Sequence, residues 1–119
     1  ISHSGEFILA VFAVGMDIGV DVQEMAECPD YREIAENFYT AEEAEDVKNE
    51  GPDLFFQYWA AKEAYVKALG IGLGRGMDFF SVRNGKIAEK DKKDQDWFLY
   101  PVRIKGYAAY VAAHKKGDR

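Results

Sequence analysis

Asp21 and Gln23 stand two residues apart in the stretch DIGVDVQE, and Glu63 follows about forty residues later in FQYWAAKEAYVKALG, flanked by Lys62 and Lys67. On a strand, residues two apart share a face with side chains roughly 6–7 Å apart, so Asp21 and Gln23 can converge on one point. On a helix, Trp59, Glu63 and Lys67 fall at four-residue spacing and share a stripe. If that helix crosses that strand, Asp21 and Glu63 can meet at one hard divalent cation. Magnesium suits such a pair, because it takes few carboxylates, keeps waters and shares its shell with substrate phosphates. Lys62 and Lys67 would supply the positive charge that a phosphate or pyrophosphate requires. Each segment alone also has a plainer reading. Glu63 and Lys67 form the pattern of a solvated ion pair worth roughly 0.2–0.5 kcal/mol, and Asp21 that of a polar residue on the open face of an edge strand.

The elements that would position these groups follow from periodicity and punctuation. Phe7 to Val14 is a continuous apolar run that reads as a buried strand. Gly15 interrupts it, and Asp17 to Gln23 then alternates, with Ile18, Val20 and Val22 on one side and Asp17, Gly19, Asp21 and Gln23 on the other. The two runs are expected to pair antiparallel through a turn near Gly15. YREIAENF after Pro29 predicts a short helix. Thr40 with Glu43 is a capping box that opens a second, AEEAEDVKN, closed near Gly51-Pro52. Asp53 is placed to cap a long helix from Leu54 to Leu69 that stops at Gly70. The glycines from Gly70 to Gly76 mark a connector. FFSV, a turn at Asn84-Gly85 and KIA predict a hairpin. WFLYPVRIK and GYAAYVAAH predict two further strands, with Pro101 favouring an edge or a bulge. This order predicts an α+β domain, an antiparallel sheet with one long and two short helices packed on one face.

Composition narrows the partners. A chain of 119 residues fits one domain over 1–119. With 48% hydrophobic and 14% aromatic residues it can build a core. A net charge of -6 argues against nucleic acid, which needs clustered cations to release counterions. The one basic run, Lys90 to Lys93, is broken by Asp91 and reads as a solvated loop. Cys28 is the single cysteine, which excludes an internal disulfide framework and fits a reducing, cytoplasmic compartment. No apolar run approaches a membrane span. The first residue is Ile1, with no initiator Met, so a processed or partial chain is expected.

Taken together, ISHSG at Ile1 to Gly5, IGVDVQ at Ile18 to Gln23 and WAAKEAYVKALGIGLG at Trp59 to Gly74 resemble the 4′-phosphopantetheinyl transferases of the two-half, surfactin-synthetase-activating type. FFSV at Phe79 to Val82 and VAAH at Val111 to His114 extend the likeness over nearly the whole chain. The resemblance implies transfer of the phosphopantetheine arm of coenzyme A to a serine of an acyl or peptidyl carrier protein, with release of 3′,5′-ADP. It implies Asp21 and Glu63 as magnesium ligands, Glu63 or a water it orients as the base for the serine hydroxyl, and Lys62 and Lys67 as phosphate-holding lysines. It implies Trp59 as an aromatic beside the site, and Ser2 and His3 as the segment whose histidine meets a coenzyme A phosphate. Asp17 is a rival to Asp21 on the same strand face. His114 is assigned to structure, and Cys28 has no partner that would make it a nucleophile.

Two departures qualify what the resemblance implies. Relatives often carry an acid where Gln23 stands; an amide oxygen can ligate magnesium but adds no charge, so weaker metal affinity before coenzyme binding is expected. The likeness also covers only the second half of a pseudosymmetric enzyme whose coenzyme sits between halves, so an exposed interface and self-association are expected. An acidic carrier protein meeting an acidic chain needs a local patch, for which Arg75 and the glycine connector are candidates. Three readings follow. The first is a transferase complete with a partner half, the second an inactive half with residual metal or coenzyme affinity, and the third a scaffold with a solvated helix face.

Overall fold

A computed structural model of the chain describes residues 2–4, 7–9, 16–70, 76–89 and 97–115. In chain order the elements are β1 (Ser2–Ser4), β2 (Phe7–Leu9), β3 (Met16–Glu24), α1 (Tyr31–Phe38), α2 (Ala41–Glu50), α3 (Pro52–Leu69), β4 (Phe80–Ser81), β5 (Ala88–Glu89), β6 (Trp97–Ile104) and β7 (Tyr107–Lys115). β3, β7 and β6 form one antiparallel sheet in that order. α3 lies across β3 and β7, while α1 and α2 pack on α3 and on each other. The fold is thus α+β with the helices on one face of an antiparallel sheet, as the sequence predicts.

The pairing predicted for the run Phe7 to Val14 falls only in part within the described residues. Within the run Phe7 to Val14, Phe7–Leu9 pairs with Ser2–Ser4 and places His3 opposite Ile8. Residues 10–15 lie outside the described residues. Among the described residues β3 pairs with β7, in register from Met16 opposite Lys115 to Glu24 opposite Tyr107. β7 offers a full-length ladder and small residues, Ala108 and Ala112, on the face that α3 covers. β6 reaches β7 through a tight turn at Lys105 and Gly106, where Gly106 holds φ 81. Pro101 sits in β6, an edge strand of this sheet, where a missing N–H breaks no ladder.

The helix signals translate almost directly. Thr40 accepts from the Glu43 N–H at 3.2 Å and the Glu43 carboxylate accepts from the Thr40 N–H at 3.0 Å, so the capping box forms. α3 starts earlier than predicted, at Pro52 with Gly51 in the capping position, and Asp53 falls in its first turn without capping it. Proline is suited to that place because the first helical N–H has no partner within the helix. Gly70, at φ 72, ends the helix as expected. The predicted Asn84-Gly85 turn is a short 3-10 turn between the two-residue strands β4 and β5. Beneath these elements the core gathers Ala35, Tyr39, Val47, Phe55, Ala64, Tyr65, Phe80 and Ala112.

Candidate active site

The polar register of β3 is not a wet face. At Gly19 an added Cβ would lie 1.8 Å from the Ala64 carbonyl oxygen and 2.5 Å from the Ala68 nitrogen. The backbone of α3 therefore rests on the backbone of β3, a closeness only glycine permits. Two residues along the same strand face, Asp21 is carried under the helix and is 2% exposed. On α3, Glu63 is likewise buried, at 9% exposure. The plain readings of a solvated Asp21 and a solvated Glu63 are both excluded by this burial.

Lys67 closes the cluster. Its ammonium donates to Asp21 Oδ1 at 2.8 Å, while the Gln23 amide donates to Asp21 Oδ2 at 2.7 Å. Burial pushes the Asp21 carboxyl above its usual range despite these donors and the Lys67 charge. Burial also raises the Glu63 carboxyl, Asp21 adds to that by repulsion, and Lys67 opposes it. Among the described residues, these two buried acids share one exposed lysine, Lys67. The carboxylate oxygens are hard donors, and a small divalent cation with its own waters fits them. Gln23 can offer its amide oxygen only by giving up its bond to Asp21. Among the described residues no group of three or more His, Cys, Asp or Glu stands ready to hold a metal by itself. Remaining positions in the shell of such an ion would fall to water and substrate.

Lys62 and Trp59 lie apart from this cluster. Lys62 is fully buried. Its ammonium donates to Glu43 Oε1 at 2.7 Å and to the Phe80 carbonyl at 2.6 Å, and sits 4.1 Å from the centre of the Phe80 ring. Trp59 is half-buried in an aromatic group, with ring centres 6.0 Å from Phe55, 6.3 Å from Phe38 and 6.4 Å from Tyr39. Ser2 and His3 belong to β1, whose backbone lies alongside β3. Asp17 lies toward His114, with 3.7 Å between Oδ2 and Nδ1, and His114 stacks on Trp97 at 4.9 Å. Cys28 is a free, half-buried thiol. Arg75 and Lys90 to Lys93 lie outside the described residues. Sequence reasoning missed two contributors. Glu43 read only as half of a capping box, and Gly19 only as a flanking residue. Tyr110 stands directly across the ladder from Asp21 and lines a groove of about 740 Å³ between α3 and the β6–β7 turn.

The model of the 4′-phosphopantetheinyl transferase superfamily matches residues 17–113, and the chain belongs to that family. It is 39% identical over 87 residues to the 4′-phosphopantetheinyl transferase ffp of Bacillus subtilis, covering 70% of this chain and 38% of that protein. With the 4′-phosphopantetheinyl transferase Sfp of Bacillus subtilis strain 168 the identity is 37%, over the same shares. With the L-aminoadipate-semialdehyde dehydrogenase-phosphopantetheinyl transferase of Rattus norvegicus it is 27%, across 99% of this chain and 46% of that protein. The chain spans less than half the length of these curated relatives. No helix among the described residues is long and apolar enough to cross a membrane.

Proposed function

We propose that this chain supplies the metal-binding and catalytic half of a magnesium-dependent 4′-phosphopantetheinyl transferase acting on coenzyme A and a carrier-protein serine. The carrying observation is that Asp21 and Glu63, from β3 and α3, are buried together beside Lys67. Asp21 and Glu63 would hold the ion, with Gln23 as a further oxygen donor. When bound, that ion supplies neutralisation of the pyrophosphate oxygens and alignment of the phosphoryl group. Glu63, its carboxyl already raised by burial, accepts the proton of the serine hydroxyl directly or through a water. Lys67, its side chain 43% exposed, would turn from Asp21 toward a phosphate. Ser2, His3 and Trp59 are assigned to the coenzyme by family likeness. Lys62 is withdrawn from that assignment, since its ammonium is already used inside the domain. Self-association or a partner half completes the coenzyme cleft, and a cytoplasmic setting fits a chain whose one thiol is free.

The test is incubation of the protein with coenzyme A, magnesium and an apo carrier protein. The carrier should gain the mass of one phosphopantetheine arm, and Glu63→Gln should slow this by about 10²–10⁴-fold. Labelling by Glu63→Gln at the parental rate would remove Glu63 from the chemistry. The coverage of less than half of each relative favours one second reading, a half-domain that binds magnesium or coenzyme without turning over. Calorimetry showing binding where no carrier is ever labelled would select it.

A further inference from the structure

α3 presents a problem of phase. From Ala60 to Val66, nearly two full turns, every residue is buried, so the helix has no solvent side there to fix its rotation. Burial on every side removes the polar face that ordinarily sets a helix's rotation, so the polar contacts of its buried side chains must help to set it. A turn of about 20° at the outer radius of a helix, about 6 Å, moves a carboxylate by about 2 Å. Glu63 needs better definition than that.

We propose that the buried Glu43–Lys62 pair is a positioning device that fixes the rotation of α3, and thereby aims the adjacent Glu63 at Asp21. The inference rests on the reading of Asp21 and Glu63 as the reactive pair. Lys62 and Glu43 are each 0% exposed and 2.7 Å apart. Glu43 is held from three directions: Oε1 accepts from Thr40 N–H and from Lys62, and Oε2 accepts from Val82 N–H at 2.7 Å. Lys62 is held in turn by the Phe80 carbonyl. The pair thus ties the start of α2, the middle of α3 and the β4 turn together at one point. Stability alone does not account for it, because a buried ion pair is commonly matched or exceeded by well-packed apolar residues of similar volume. Burial in fact pushes the Lys62 ammonium below its usual range despite the Glu43 charge. What apolar groups would lack is direction. Glu63 follows Lys62 by about 100° around the helix, so locking one sets the other.

The experiment replaces both charges together, Glu43→Gln with Lys62→Met, in the gene product that contains these residues, alongside the single variant Glu43→Asp. Thermal unfolding, crystal structures, and kcat and KM for coenzyme A are measured for each. The double variant is expected to unfold near the parental temperature while kcat falls by about two orders of magnitude, as about 1 Å of misplacement can cause. Its KM for coenzyme A should be little changed, and its structure should show α3 rotated with the Glu63 carboxylate moved from Asp21. Glu43→Asp keeps the charge but draws the anchor back, so kcat should fall less, in proportion to the displacement of Glu63. A folded double variant with parental kcat and unmoved Glu63 overturns the proposal. If the double variant does not fold, Glu43→Asp with parental kcat and Glu63 in place overturns it equally. Should the parent itself prove inactive, the reaction assignment fails, yet the rotation of α3 in the variant structures still decides the positioning role.

Discussion

Substituting Gly19 by alanine probes the contact on which the whole site depends. An added Cβ meets the Ala64 carbonyl oxygen at 1.8 Å and the Ala68 nitrogen at 2.5 Å, both backbone atoms with no rotamer to yield. Ordinary contact needs about 3.5 Å, so α3 and β3 must separate by roughly 1.5–2 Å at this point. Overpacking of this kind costs about 1–3 kcal/mol. In a domain of this size each kcal/mol lowers the unfolding midpoint by about 4–5 °C, so a drop of about 5–15 °C is expected. The separation also carries Glu63 away from Asp21, and turnover of the folded protein should fall by about 10². Calorimetric unfolding and carrier labelling measured well below the midpoint separate the two losses. Gly70→Ala is the contrast. Gly70 has open space around it and φ 72, so alanine there costs only the left-handed conformation, about 1–2 kcal/mol, with turnover intact. If Gly19→Ala unfolds at the parental temperature and labels carrier normally, α3 does not rest on β3 as described, and the reasoning from burial of Asp21 fails with it.

Three further outcomes are expected. Asp21 and Glu63 both have folded carboxyl pKa values raised above their unfolded ones, so the folded state keeps their protons longer as pH rises. Their contribution is therefore lost between the unfolded value near 4 and the raised folded value, and at neutral pH magnesium should raise the unfolding midpoint; Asp21→Asn should abolish that rise, and an equal rise in both proteins would count against the site. Thr40→Ala removes the cap of α2 and should cost about 0.5–2 kcal/mol in denaturant unfolding without changing magnesium affinity. Tyr65→Phe takes a hydroxyl donor from buried Glu89 and should cost about 1–3 kcal/mol, an effect that Glu89→Gln in the same background should reduce if the loss is one of unmet charge.

How much of this was legible depended on whether a local rule or a distant partner decided the outcome. The Thr40–Glu43 box, the end of α3 at Gly70 and the Asn84-Gly85 turn were readable because each is settled within a few residues. The meeting of Asp21 with the Glu63–Lys67 stripe was readable because strand period and helix period each fix one face. The pairing of β3 with β7 was not. β7 is more than eighty residues away in sequence, and no local pattern announces its long ladder with β3 or the small side chains that let α3 approach. The importance of Gly19 was hidden for the same reason, since a glycine in an alternating strand does not announce which backbone will press against it.

Helical phase explains the one reassignment among the candidate residues. At about 100° per residue, Glu63 and Lys67 lie about 40° apart around α3, and both belong to the Asp21 side. Lys62 and Lys67, five residues apart, diverge by about 140°, so a rigid helix cannot direct both ammonium groups at one phosphate. Burial then decides which lysine reaches solvent. Lys67 ends 43% exposed beside Asp21, while Lys62 ends at 0% against Glu43. On the proposed function, the motif K-E-x-x-x-K divides its labour by geometry: one lysine holds the helix, the acid works in the site, and the second lysine answers to whatever anion enters.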